Sequence, residues 1–244
     1  MKTFLQLCQA VCREAAVANG ESAITTTVGQ IGQLGRIVEY VRQAWLEIQT
    51  RHQHSGLHWR WMRSSFEITT VADQDSYAFN DAAVQDVRGT AEDITRFRNW
   101  MIQDWEDPPR IYLQSAGVGT QTFMTYIPWN DFKYLYRIGT QNPSQPMHVS
   151  ISPDNKLCVG PKPSGIYIIT GDYMKGVQRF TANNDTPDLP EDFEDAIVFL
   201  ALIKYGLQKN AAEAITMGED SYATYIGALE GDQLSEIYVG GPLA

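Results

Sequence analysis

Residues 31–52, IGQLGRIVEYVRQAWLEIQTRH, carry the clearest hydrophobic pattern in this 244-residue chain. Apolar side chains recur there at intervals of three and four positions, which places them along one side of a helix. They are Leu34, Ile37, Val38, Val41, Trp45 and Ile48, and the other side carries Arg36, Glu39, Arg42 and Glu47. The pattern predicts an amphipathic helix from about Ile31 to about His52 that buries one face.

Three more helices are expected, one before this pattern and two near the end of the chain. The first covers Thr3–Asn19, with Thr3 as its N-cap and Gly20 after its last residue. The last covers about Asp220–Leu229. A start as early as Ala211 would place a glycine, a poor helix former, inside it at position 218.

The third helix follows the stretch DLPEDFED at residues 188–195. Asp188 is its candidate cap, and four carboxylates face the positive end of its dipole. Its buried face is expected to hold Phe193, Ala196, Ile197, Leu200, Ala201 and Ile203. Because neither apolar stripe can remain in water, we expect Leu34–Ile48 and Phe193–Ile203 to pack in one bundle.

Between the helices, residues 59–180 contain short β-rich runs separated by turn residues. The candidate strands are Phe66–Val71, Ser76–Phe79, Arg110–Leu113, Gln121–Ile127, Met147–Ile151, Lys156–Val159 and Ile166–Tyr173. Pro153-Asp154-Asn155 is typical of a hairpin turn. Thr90–Trp105 and Trp129–Tyr136 interrupt the strands and are expected to be helical or irregular. This many short strands predict a small antiparallel sandwich or barrel.

The predicted fold is therefore of the α+β class. Residues 1–63 and 181–235 are expected to form a helical bundle, with an inserted antiparallel β-sandwich or barrel-like domain at 64–180. Residues 236–244 follow the last helix signal and are expected to form an extended C-terminal tail. The short apolar stretch at the N-terminus is interrupted by polar residues, which indicates a mature soluble chain, and no apolar run approaches the roughly 20 residues of a membrane span.

The net charge of −10 lies entirely in the last quarter of the chain. Residues 1–180 carry 17 basic and 17 acidic side chains, whereas residues 181–244 carry 12 acidic side chains and only Lys204 and Lys209. Phosphate affinity comes from Lys and Arg, so tight DNA binding is disfavoured. An acidic surface can still border DNA where the task is to let it pass.

Catalytic and cofactor motifs are missing from the sequence. The glycines at 29, 32 and 35 lack the spacing of a phosphate loop, and GxSxG, HExxH and CxxC do not occur. His52, His54 and His58 are better explained by a helix C-terminus than by a metal. We therefore expect no enzyme activity, no cofactor and no metal.

Cysteine and tryptophan usage favours structural roles. Three cysteines, Cys8, Cys12 and Cys158, cannot all pair within one chain, and buried reduced thiols are the simplest interpretation. Five tryptophans lie near loops or strand edges: Trp59, Trp61, Trp100, Trp105 and Trp129. A sugar-binding platform is one use for them, but burial in the core or at subunit contacts is commoner.

The order of these segments resembles the head-to-tail adaptor, or connector, proteins of tailed bacteriophages. The matching stretches are Trp59-Arg60-Trp61, Phe66–Val71, Ser76–Phe79, Lys156–Pro163, Ile166–Tyr173, and Asp185–Asp192 with the helix that follows it to Tyr205. The resemblance rests on the order in which these stretches occur, and together they cover nearly the whole chain. The segment Thr90–Ser115 departs from the simplest adaptors, so the resemblance implies no role for it.

The resemblance implies a homo-oligomer, a dodecameric ring beneath the portal protein in the neck of the virion, made in the host cytoplasm. The ring would extend the channel for double-stranded DNA without binding it specifically, and it would dock the next neck or tail protein. An acidic segment repeated around such a ring repels phosphate. The candidate residues for the channel, or for a basic portal surface, are Glu191, Asp192, Glu194, Asp195, Glu219 and Asp220.

The family's C-terminal segment commonly reaches the portal, and the apolar tail here fits that role. Its residues are Ile237, Tyr238, Val239, Gly240, Gly241, Pro242 and Leu243. A tail that folds back on its own domain, or frays, is the alternative. Two other functions stay open on sequence alone: a glycan-binding tail or baseplate module, and a cell-wall hydrolase using Glu191 or Asp195.

Overall fold

The computed structural model describes residues 1–15, 24–52, 57–89, 91–103 and 107–234. The helices in these ranges are α1 Phe4–Glu14, α2 Gly32–Thr50, α3 Trp129–Tyr136, α4 Asp195–Lys209 and α5 Ala212–Gln233. The strands are β1 Arg63–Thr69, β2 Ser76–Tyr77, β3 Val84–Asp86, β4 Glu92–Asp93, β5 Asn99–Met101, β6 Arg110–Leu113, β7 Thr122–Phe123, β8 Thr125–Tyr126, β9 His148–Ile151, β10 Leu157–Gly160 and β11 Tyr167–Met174. These elements confirm the predicted α+β class.

The chain divides into two compact units. The described residues of 1–62 and those from 177 onward form the helical unit, and Arg63–Gly176 form the β unit. No helix within the described ranges is long and apolar enough to cross a membrane.

Helix α1 begins at the residue expected from the sequence. The N–H of Gln6 donates to Thr3 Oγ1 at 3.3 Å, and Gln6 Oε1 accepts the N–H of Thr3 at 2.8 Å. This reciprocal capping box satisfies two N–H groups that would otherwise lack partners. The predicted end of the helix, near Asn19, lies outside the described residues.

Helix α4 is the centre of the helical unit, because α1, α2 and α5 all pack against it. It is apolar on most of its surface, with Ala196, Ile197, Val198, Leu200, Ala201, Leu202, Tyr205 and Gly206 buried. Val41 and Ile48 of α2 are fully buried as well. The predicted joint bundle of N- and C-terminal helices is confirmed.

The start of α4 differs from the expected one. Glu191–Phe193 form one turn of 3-10 helix after Pro190, and α4 follows at Asp195. Pro190 is the N-cap residue of the 3-10 turn and Glu194 is the N-cap residue of α4, and neither makes a side-chain capping hydrogen bond. The prediction that Asp188 caps the helix was therefore wrong.

Helix α5 extends in both directions beyond the predicted core of Asp220–Leu229. It follows α4 after Asn210, which adopts a left-handed conformation with φ of 53°. Gly218 lies inside the helix and faces Ile203 of α4. A glycine that weakens the helical pattern in the sequence is thus a packing residue in the fold.

The β unit is organised around β11. One edge of β11 pairs with β1, and its other edge pairs with β6 and then β5. The larger sheet has seven strands in the order β4-β3-β1-β11-β6-β7, with β5 beside β11, and the smaller sheet has the order β2-β10-β9-β8. Side chains of both sheets, among them Phe66, Ile169, Tyr77 and Val159, share one hydrophobic core. The two sheets therefore form a sandwich, as expected.

Two details of the β unit depart from the sequence analysis. The segment 91–103 contains the short strands β4 and β5 rather than a helix, because its residues add to the edges of existing strands. Strands β8 and β9 pair in parallel, whereas the other pairings between the described strands are antiparallel. The interruption at Trp129–Tyr136 is helical, and Asn155 turns the β9–β10 hairpin with φ of 61°.

Candidate assembly surfaces

The carboxylates at the start of α4 are engaged within the helical unit. Glu194 is 2% exposed, and its Oε2 accepts the backbone N–H of Lys2 at 2.7 Å. Asp195 forms an ion pair with Lys2 Nζ, and Glu191 forms one with the amino group of Met1. These bonds tie the residues before α1 to the start of α4. Three of the predicted channel carboxylates therefore have partners inside the unit.

The other three predicted acidic residues, Asp192, Glu219 and Asp220, are exposed. Glu219 and Asp220 lie on α5, a helix of 22 residues with five carboxylates and no Lys or Arg. The exposed positions of α5 are otherwise mainly small, among them Ala212, Ala223, Thr224, Gly227, Ala228 and Gly231. We call this side the acidic face of α5. It is negative and carries few large side chains.

One carboxylate of α5 is neutralised near the end of α2. Glu230 Oε1 accepts from Arg51 Nε at 2.8 Å and lies 2.9 Å from His52 Nε2. The guanidinium of Arg51 also lies over the ring of Tyr222, with its carbon 5.9 Å from the ring centroid. This cluster fixes α2 against α5. The contact with Glu230 gives His52 a structural role. Within the described residues, no group of His, Cys, Asp and Glu is arranged to hold a metal.

A groove of about 270 Å³ lies on another side of α2. Residues from α2 and from the segment after the β unit line it: Glu39, Arg42, Gln43, Leu46, Gln178, Arg179, Phe180 and Thr181. We call it the α2 groove. Its two arginines are 137 positions apart in the chain, so periodicity gives no signal for it. The only sequence signal is that Arg42 lies on the polar side of an amphipathic helix.

The β unit exposes apolar side chains in two surface segments that the sequence analysis did not single out. The segments are residues 118–123 and 134–147, and their exposed apolar side chains are Val118 (61%), Phe123 (68%), Tyr134 (75%), Leu135 (49%), Ile138 (62%) and Met147 (58%). The segments meet where the side-chain amide of Gln145 donates to Thr122 Oγ1 at 3.4 Å and the N–H of Thr125 donates to the Met147 carbonyl at 2.9 Å. Exposed apolar patches of this kind mark contact surfaces.

A partly buried polar network lies on one side of the larger sheet. Asp86 accepts from Tyr173 Oη at 2.6 Å, from Ser64 Oγ at 2.9 Å and from the N–H of Arg88 at 2.9 Å. Burial alone would raise the pKa of Asp86, but these hydrogen bonds outweigh it and hold the pKa below the ordinary value of 3.8. The arrangement stabilises the folded sheet and leaves Asp86 ionised.

Three of the five tryptophans singled out in the sequence, and all three cysteines, are buried. Trp59, Trp61 and Trp100 are at most 7% exposed, and Trp59 donates from Nε1 to the Ile48 carbonyl at 2.8 Å. These three rings are therefore unavailable as a sugar platform; Trp105 lies outside the described residues. Cys8, Cys12 and Cys158 are unpaired and buried, and burial raises the pKa of Cys8 to about 12. The prediction that these thiols are buried is confirmed.

The predicted portal-binding tail, Ile237–Leu243, lies outside the described residues. Its role stays a prediction from the sequence.

Comparison with known proteins gives one strong result. No curated protein matches the chain. The family model described as SU10 adaptor protein matches residues 2–243, which is nearly the full length and includes both units. The match confirms the resemblance to phage head-to-tail adaptors, and this chain belongs to the SU10 adaptor protein family.

Proposed function

We propose that this protein forms a ring beneath the portal of a tailed phage, continues the DNA channel and joins the DNA-filled head to the tail. Membership of a phage adaptor family supports a structural role at the head–tail junction. In this proposal the ring is a dodecamer. Its partners are the portal protein on one side and the next neck or tail protein on the other.

The observation that carries the proposal is the acidic face of α5. Its carboxylates Glu213, Glu219, Asp220 and Asp232 are exposed, and the helix has no basic residue to neutralise them. Repeated around a ring, such a surface repels the phosphates of a passing duplex and prevents it from sticking. Specific DNA binding would need the opposite charge.

The remaining surfaces fit the same role. The exposed apolar segments of the β unit, around Phe123 and Tyr134, supply a docking surface for the next neck or tail protein. The tail from Ile237 to Leu243 supplies the portal contact, because an apolar segment gains stability by filling a groove on a partner. Glu191 and Asp195 form ion pairs with the amino group of Met1 and with Lys2, which favours a structural role for them over hydrolysis.

Electron microscopy of the protein mixed with its portal protein tests the proposal. We expect a twelve-fold ring that caps the portal and continues its channel. A protein that remains monomeric in the presence of the portal, or that binds oligosaccharide or cell envelope instead, would overturn it.

A further inference from the structure

The α2 groove carries surplus positive charge in a fixed arrangement. Arg42 Nε donates to the Phe180 carbonyl at 3.2 Å, and its guanidinium carbon lies 5.2 Å from the centre of the Phe4 ring. Arg179 is exposed and makes no ion pair with a described residue. Glu39 also lines the groove, but its carboxylate is 3.8 Å from Arg42 and half exposed, so it neutralises the pair of arginines only in part.

The acidic face of α5 has the complementary chemistry. Glu213, Asp220, Thr224, Gly227 and Gly231 follow one another at spacings of seven, four, three and four positions, which aligns them along the helix. A Cβ on Gly227 or Gly231 would meet no atom within 4 Å, so this line is open to an approaching surface. This line of residues is therefore negative toward the start of α5 and carries only small side chains toward its end.

The groove and α5 lie on opposite sides of α2. Arg42 and Arg51 are nine positions apart, and at about 100° per residue this separation turns the helix by two and a half revolutions. Arg51 contacts Glu230 of α5, whereas Arg42 lines the groove. A single chain therefore presents the two complementary surfaces in different directions, and they can meet only between copies. Contacts of this heterologous type generate rings.

We propose that the α2 groove of one subunit receives the acidic face of α5 from the next subunit around the ring. This inference rests on the proposed ring and names the contact that closes it. Arg179 and Arg42 lie against the carboxylates of Asp220 and Glu213, and the small residues toward the end of α5 allow its backbone to approach the groove near Leu46. Glu219 and Asp232 lie about 100° or more around the helix from this line, so they stay outside the contact and supply the negative charge of the channel.

Cross-linking between two single-cysteine variants tests the contact directly. Thr181→Cys lies in the groove and Thr224→Cys on the acidic face, and the three native thiols are buried. We mix the two variants, assemble them on the portal protein and add a short bis-maleimide. A dimer that contains one copy of each variant supports the proposal. Assembled rings that give no mixed dimer overturn it. A mixed dimer that forms equally well when Arg36→Cys, on α2 outside the groove, replaces Thr181→Cys also overturns it.

Charge reversal separates this inference from the proposed function. Arg179→Glu should weaken each contact about tenfold or more, since opposing like charges costs at least the ~1.4 kcal/mol that a tenfold change represents. Asp220→Arg in the same chain should restore the ring, and Arg36→Glu, an exposed change on α2 outside the groove, should leave it intact. If the wild-type chain forms the ring and Arg179→Glu forms it equally well, the inference fails and the proposed function stands. If Arg179→Glu abolishes the ring and Asp220→Arg does not restore it, the groove binds the portal or DNA instead. That result also overturns the inference.

Discussion

Gly218 of α5 and Ile203 of α4 approach so closely that a Cβ on Gly218 would lie 2.8 Å from Ile203 Cγ1. The same Cβ would lie 3.3 Å from the backbone carbonyl of Phe199, which cannot move without disturbing α4. Gly206 of α4 is placed in the same way against Ile215 of α5, at 2.8 Å. The two helices therefore pack at a distance that only glycine permits.

Gly218→Val should consequently destabilise the helical unit. Overpacking of this kind costs about 1–3 kcal/mol, which exceeds the gain of about 1 kcal/mol from removing a helical glycine. Denaturant unfolding followed by far-ultraviolet circular dichroism measures the effect. Gly227→Ala is the matched control, because its added Cβ meets open space and should be neutral or stabilising. Equal stability of the two variants would contradict the packing role of Gly218.

A charge at the centre of the bundle should unfold the helical unit. Val41 is fully buried on α2, and Val41→Asp would place a carboxylate there without a partner, a change that costs several kcal/mol. Gln43→Asp makes the same kind of change at an exposed position of the same helix and should have little effect. The thermal midpoint of helix loss is the measurement, and an unchanged midpoint for Val41→Asp would refute the joint bundle.

The stability of the β unit should fall in acid through Asp86. Because the pKa of Asp86 is held below 3.8, its ionised form stabilises the folded state above that pH. This contribution disappears as the pH falls through the folded-state pKa. Tyr173→Phe removes the 2.6 Å hydrogen bond and should cost about 1.5–3 kcal/mol near neutral pH, and it should flatten the acid dependence. Unfolding curves between about pH 2 and 7 measure both effects. A Tyr173→Phe variant with the wild-type acid dependence would exclude this network as its source.

The C-terminal tail should be needed for docking and dispensable for folding. Truncation after Glu236 removes Ile237–Leu243, which belongs to neither predicted apolar stripe. We expect an unchanged circular dichroism spectrum and thermal midpoint together with lost binding to the portal protein in a pull-down. A truncation after Leu243, which removes only Ala244, controls for a changed terminus. If heads capped with the shorter protein still accept tails, the portal contact lies elsewhere.

The long, periodic elements of this fold were predictable from sequence. The short strands that form only by pairing with other strands were not. The stripe Leu34–Ile48 and the cap at Thr3 depend on neighbours within a few positions, so local pattern suffices for them. Strands β3, β4 and β5 have two or three residues each, and they exist only because β1 and β11 offer edges to pair with. The β4–β5 region was accordingly expected to be helical or irregular.

The candidate surfaces were likewise predictable from sequence only in part. The acidity of the last quarter of the chain was visible in the sequence, but its carboxylates belong to two groups that composition cannot separate. Lys2 neutralises Asp195, whereas Asp220 faces solvent. The α2 groove combines Arg42 with Arg179, and only the folded chain brings residues so far apart in sequence together.

The division of the helical unit between the two ends of the chain has a consequence for synthesis on the ribosome. Arg63 and Met174 are paired neighbours at the start of β1 and the end of β11, so the β unit is complete in sequence before α4 has been translated. Helices α1 and α2 emerge first, yet the helix on which they pack is made more than a hundred residues later. Their apolar faces must therefore stay shielded from other nascent chains during translation, and the helical core can close only after the whole β unit has been synthesised.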